Sequence, residues 1–222
     1  MNFDLIYMFK VIPVILAYLP VTLVISVAAM VISTLIGVFM AVLLRRGRVL
    51  KSLAAIYISF FRGTPVLVQL LIIYFGLPQL FPVLNAMGAI YAVIIGLALN
   101  TSAYLAEIFR AGIDSVDKGQ TEAALASGLS LPVACWRILL PQVCRNAIPA
   151  TGNVYIGLIK NSSLAFTLGV TELLSAGKLA ATESLKFFEA YAAVALVYWA
   201  LTILLGEGQR RLEKYVGKPY NN

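Results

Sequence analysis

Asn100, Thr101 and Ser102 stand together inside the apolar run LALNTSAYLA, and Thr64 and Gln69 stand inside another, TPVLVQLLIIYF. Polar side chains in such surroundings are costly and usually face a cavity or a partner. Arg62, Glu107, Asn161, Ser162, Ser163 and Thr167 complete the set. These residues offer hydrogen bonds and charge, not bond breaking. There is no nucleophile beside a base and no G-x-x-x-x-G-K-[ST] phosphate loop. There is no histidine, which removes the commonest metal ligand and proton shuttle. No catalytic residue, metal site or cofactor of the chain's own is therefore assigned. Hydrogen bonding between helices is the competing use of the same side chains.

A second group lies in TEAALASGLSLPVACWRILLPQ, Thr121 to Gln142. Gln120 to Ser127 reads as a short helix closed by Gly128. Gly128 there needs a positive backbone angle or a close approach. Ser130 can cap a second short helix, with Pro132 tolerated in its first turn. Pro141 is expected to end or kink it. Ala123, Ala124, Leu125, Leu129, Leu131 and Val133 give the pair a small, apolar face that suits docking into a groove on a soluble partner. A connecting hairpin at the interface is the plainer alternative, and for Glu122 it is a solvated charge favoured by the helix dipole.

Both groups need elements to position them. The chain is 61% hydrophobic and 12% charged, against about 45–50% and about 25% in soluble domains. Such a surface calls for lipid as its solvent, and helix-length apolar runs without strict alternation argue against a β-barrel. One all-α membrane domain over residues 1–222 is predicted. The net charge of +7 does not point to nucleic acid, because the basic residues sit between apolar blocks, as topology signals do. Cys135 and Cys144 read as small apolar residues. The start, MNFDLIYMFK, lacks the basic region and cleavage site of a signal peptide.

Residues 11–44 carry no charge, which exceeds one straight span of about 20 residues. Residues 5–18 are read as a helix at or entering the interface. Spans are expected at 20–44, 52–81, 86–109, 144–159 and 188–205, with a break at Arg62-Gly63-Thr64-Pro65 in the second. The segment 119–141 falls between the third and fourth. Placing 45–51, 110–145 and the C-terminus on one side puts twelve Lys and Arg there, from Arg45 to Lys218. The other side holds Lys10, Lys160, Lys178 and Lys186. The positive-inside bias then sets the N-terminus outside and the C-terminus in the cytoplasm.

Glu122-Ala123-Ala124, Gly128 and Ile138-x-Leu140-Pro141 reproduce the EAA-x3-G-x9-I-x-LP signature, and the segment resembles the cytoplasmic loop of ABC importer permeases. FRGTPVLVQL (61–70), LALNTSAYLAEIFRAGI (97–113) with KGQTEAA, and LIKNSSLAFTLGVTEL (158–173) are similar to segments of the polar amino-acid branch of that family. The resemblance spans about residues 15 to 215. It implies a five-span permease in a bacterial inner membrane, paired with itself or a close paralogue. It also implies two ATP-binding subunits that use ATP and Mg, an extracytoplasmic solute-binding protein, and a polar amino acid as cargo. Glu122, Ala123, Ala124, Gly128, Leu140 and Pro141 are the implied coupling residues.

The cargo's carboxylate needs donors and its ammonium group needs acceptors. Thr64, Gln69 and Asn100 could supply both, with Arg62, Glu107, Asn161, Ser162 and Thr167 as further pathway candidates. Glu107 and Arg110, three apart on a helix, also read as an ion pair. A passive carrier or a membrane scaffold without an ATPase is the alternative, and neither needs the docking segment.

Overall fold

The computed structural model describes residues 3–217. The chain runs through α1 (Leu5–Leu16), α2 (Leu19–Leu43) and α3 (Arg48–Gly63). Next come α4 (Val66–Leu80), which contains a π-turn at Ile72–Gly76, and α5 (Ala89–Asp114). Then follow α6 (Lys118–Ala126), α7 (Leu131–Leu168), α8 (Leu173–Ser184) and α9 (Phe187–Gly217). No strand occurs among the described residues. Lys218 and the extreme C-terminus, used above for orientation, lie outside them.

Among the described residues three helices, α2, α5 and α9, are each long and apolar enough to cross a membrane. Two bent pairs raise the number to five if each is one broken span: α3 with α4, at 106°, and α7 with α8, at 52°. The helix α1 is shorter, at 12 residues, and packs on α8 and α9.

α5 is the most enclosed of the three long helices. Ala92, Val93, Leu97 and Ala98 bury one side of it against Ile25 and Ala29 of α2, Leu70 and Ile73 of α4 and Leu158 of α7. Small residues let backbones approach in lipid. A Cβ added at Gly37 of α2 would lie 2.8 Å from the Cβ of Leu105 and 3.3 Å from the backbone of Ser102 and Ala106. The outer face of α2 is apolar and exposed, with Val24, Val31, Leu35 and Phe39.

The two ends of the bundle carry different ion pairs. At one end Arg45 pairs with Asp114, which also accepts from Arg110 at 2.9 Å. At the other, Asp4 caps α1 by accepting from the Tyr7 N–H at 2.8 Å and pairs with Lys186 between α8 and α9. Lys186 holds the Asp4 carboxyl below the usual carboxylate range, helped by the Tyr7 amide. Reciprocally, the Asp4 carboxylate raises the Lys186 ammonium above the usual lysine range.

One expectation is corrected here. Pro141 does not end a short second helix. The helix begins at Leu131 and continues through Pro141 to Asn161, so the fourth membrane helix starts well before Cys144. A proline offers no N–H to the carbonyl four residues back and crowds it. The π-turn at Cys135–Leu139 lies immediately ahead of Pro141 and takes up that mismatch.

Candidate functional site

The break between α3 and α4 follows from Pro65. Within a helix the Phe61 carbonyl would accept the N–H of residue 65, and proline has none. Thr64 turns extended, at φ −117° and ψ 147°, and α4 restarts at Val66. A carbonyl stranded at membrane depth must find another donor. It finds two. Asn100 Nδ2 donates to Phe61 O at 2.8 Å and Gln69 Nε2 at 3.0 Å. Gln69 Nε2 also reaches Thr64 O at 3.1 Å and Thr64 Oγ1 at 2.7 Å, and Gln69 Oε1 accepts from Asn100 Nδ2 at 3.1 Å. The break is thus closed by side chains of its own second half and of α5.

This arrangement separates the candidates. Gln69 is 3% exposed and its amide is spent on the break. Thr64, Asn100 and Asn161 line one cavity of 330 Å³, together with Pro65, Val66, Thr101, Tyr104, Val154, Gly157 and Leu158. The bonds of Asn100 all leave through Nδ2, so its Oδ1 is the acceptor left for an occupant. Arg62 does not line the cavity; its guanidinium lies over the Tyr104 ring, 5.4 Å from the centroid.

The remaining candidates point elsewhere. Glu107 accepts from Arg110 Nε and Nη2 at 2.9 and 2.7 Å, as the i,i+3 spacing suggests. Ser162 is buried and donates to Ile159 O at 2.7 Å, and Thr167 donates to Leu164 O at 2.7 Å. Neither lines the cavity. Ser102 bonds the Tyr57 hydroxyl at 2.7 Å and ties α3 to α5.

Two residues of interest were not singled out from sequence. Tyr104 lies four positions after Asn100 and so shares its helix face, a spacing that could have found it. Glu172 is fully buried at the start of α8. It accepts from the N–H groups of Leu174 and Ser175 at 3.0 Å each and from the Tyr198 hydroxyl at 2.9 Å. Its Ser three positions on completes a capping box, which is the one local signal it carries.

The loop between α5 and α7 is a closed unit. Asp117 caps α6 by accepting from the Gly119 N–H at 2.7 Å. At the other end Gly128 takes φ +83°. The N–H of Leu129 bonds Ala124 O at 3.2 Å and that of Gly128 bonds Leu125 O at 3.0 Å, the paired bonds of a Schellman cap. Ser130 holds the N-cap position of α7 without a side-chain bond. Ala124 is buried, whereas Glu122, Ala123, Gly128 and Pro141 are exposed. Leu125, Leu131 and Leu140 are 45%, 54% and 40% exposed.

Comparison with known proteins agrees with this architecture. Residues 33–218 match the family described as binding-protein-dependent transport system inner membrane component. The chain is 52% identical to the probable amino-acid permease protein YxeN of Bacillus subtilis (strain 168), over 96% of each chain. It is 42% identical to the probable amino-acid ABC transporter permease protein PatM of Vibrio harveyi, over 99% of each. A crystal structure of an amino acid ABC transporter with histidines superposes with TM-score 0.87 at 34% identity, covering 97% of this chain and 100% of that one. An inward-facing MetNI methionine ABC transporter shares the fold, at TM-score 0.71 and 18% identity. This chain therefore belongs to the inner membrane components of binding-protein-dependent transport systems.

Proposed function

We propose that this permease subunit carries a polar amino acid into the cell, driven by ATP that separate subunits bind and hydrolyse. The observation that carries the reading is a pair of features on one helix. α5 bears Asn100 at the cavity and, past Asp114, leads into the capped loop at 117–130. The relatives named as amino-acid permeases support the choice of cargo.

In this reading Glu122, Ala123, Ala124, Gly128, Leu140 and Pro141 form or brace a docking knob for an ATP-binding subunit, one knob for each of two such subunits. Exposed Leu125, Leu129 and Leu131 enter the partner's groove, and the caps at Asp117 and Gly128 keep α6 from fraying. ATP favours one arrangement of the pair by binding it better, and α5 and α7 tilt with the knob. The knob, Arg45, Arg110 and the end of α9 then face the cytoplasm, and Asp4 and Lys186 face outward. A second copy or a close paralogue completes the pathway. An extracytoplasmic solute-binding protein delivers the cargo, and ATP with Mg stays in the partner subunits.

At the cavity, Asn100 Oδ1 accepts from the cargo's ammonium group. The start of α4, from Val66 onward, offers helix N–H groups without helical acceptors to its carboxylate. Broken helices serve transporters in this way. The test is reconstitution in proteoliposomes with the ATP-binding subunit inside and the binding protein outside. A labelled mixture of amino acids should accumulate with ATP and not with a non-hydrolysable analogue. Equal accumulation in both would establish a passive carrier instead.

A further inference from the structure

Resting on that reading, we propose that the cavity beside Asn100 takes amino acids with uncharged or acidic side chains and rejects cationic ones, and that Arg62 sets this preference. Among the described residues the cavity wall holds no aspartate, glutamate, lysine or arginine. Its polar groups are Thr64, Asn100, Thr101, Tyr104 and Asn161, all neutral. A charged side chain of either sign moving in would shed water and meet only dipoles in the wall itself, which costs far more than burying a polar group, so the choice between the signs falls to Arg62 behind the wall. An uncharged polar side chain needs only the hydrogen bonds that the wall offers.

The charge in contact with the cavity wall is positive. Arg62 lies over the Tyr104 ring, 5.4 Å from its centroid, and Tyr104 is part of the wall. Lys160, next in sequence to Asn161, is exposed and also positive. The carboxylate nearest along α5, Glu107, is held by Arg110 through two bonds of 2.9 and 2.7 Å, so its charge is already answered. An acidic side chain would approach Arg62 with attraction, and a basic one with repulsion. A second copy of this chain meeting the first across the pathway brings the same wall and the same arginine, so pairing keeps the sign.

The discriminating experiment removes the binding protein, whose own selectivity would mask the permease's. The permease with its ATP-binding subunit is placed in lipid nanodiscs, and equilibrium binding of labelled glutamine, glutamate, cystine, arginine and lysine is measured. The expected result is that the best of the first three binds at least about tenfold more tightly than arginine or lysine. Arg62→Glu, at an exposed position, is expected to shift the ratio toward arginine by about fivefold or more, and Arg62→Gln by less. Wild type that binds arginine or lysine as well as the others overturns the inference. So does a ratio that Arg62→Glu leaves unmoved. A complex that imports amino acids with ATP yet binds none in nanodiscs also overturns it, while the transport reading stands. A complex that imports no amino acid overturns the transport reading itself.

Discussion

Asn100 and Phe61 meet across 39 positions of sequence, the amide of one 2.8 Å from the carbonyl of the other, and the contact closes a helix end that Pro65 opened. The bond does two jobs. It satisfies a backbone group that Pro65 left without a helical donor, and it fixes which end of the Asn100 amide remains for the cavity.

Asn100→Ala removes both Nδ2 bonds and should destabilise the subunit by about 1–3 kcal/mol, the usual cost of an unsatisfied buried group. Gln69→Ala should cost a similar amount. Because both serve Phe61, the double variant should depart from additivity by about 0.5–3 kcal/mol. Thermal unfolding in detergent measures all three. Additive losses would show that the two amides act independently.

Gly128→Ala forces a side chain into left-handed backbone, at about 1–2 kcal/mol. The cost falls on the loop cap, not the bundle. Faster amide exchange at residues 118–134 is expected, with ATP-driven uptake reduced and global unfolding little changed. Gly128→Asn should be milder, since asparagine tolerates this conformation.

Gly37→Ala places a methyl group against Leu105 and the backbone of Ser102 and Ala106, where little can give way. Overpacking of this kind costs about 1–3 kcal/mol. A lower unfolding temperature should result, and Leu105→Ala should not restore it, because the contact is with the Cβ that alanine keeps.

The attachment of α1 should depend on pH at both extremes. The Asp4 carboxyl titrates below its usual range in the fold. Its contribution is therefore full above the unfolded value of about 3.9 and is lost as pH falls through the folded value. Lys186 is raised, so its contribution is full below about 10.4 and is lost as pH climbs through the folded value. Amide exchange of residues 5–16 should quicken in acid below about pH 4 and change little between there and neutrality. Asp4→Asn should shrink the acid limb without abolishing it, because Glu189, a second carboxylate at this contact, accepts from the Asp4 N–H at 3.0 Å.

Local rules made much of this legible. Pro65 lacks an N–H and follows Gly63 and Thr64, which together favour a break. Gly128 follows a run of good helix formers, which calls for a left-handed cap. Glu107 and Arg110 are three apart, which makes them an ion pair. The continuity of α7 was hidden because Pro141 ordinarily stops a helix, and a π-turn that absorbs it has no sequence signature. The burial of Glu172 was equally hidden, since its partner Tyr198 lies 26 positions on and only the packed bundle brings them together. Which intramembrane polar groups face a cavity also depended on assembly. Gln69 and Asn100 look alike in sequence, but only Asn100 reaches the cavity wall.

In the proposed mechanism, work from a partner enters the permease through residues 121–131. The direct measurement is ATP-driven accumulation of labelled amino acids in proteoliposomes holding the full complex, with that segment intact or replaced by a flexible linker of equal length. Accumulation should vanish with the linker while the purified permease keeps its helical content and unfolding temperature. Accumulation at the wild-type rate through a flexible linker would contradict the account.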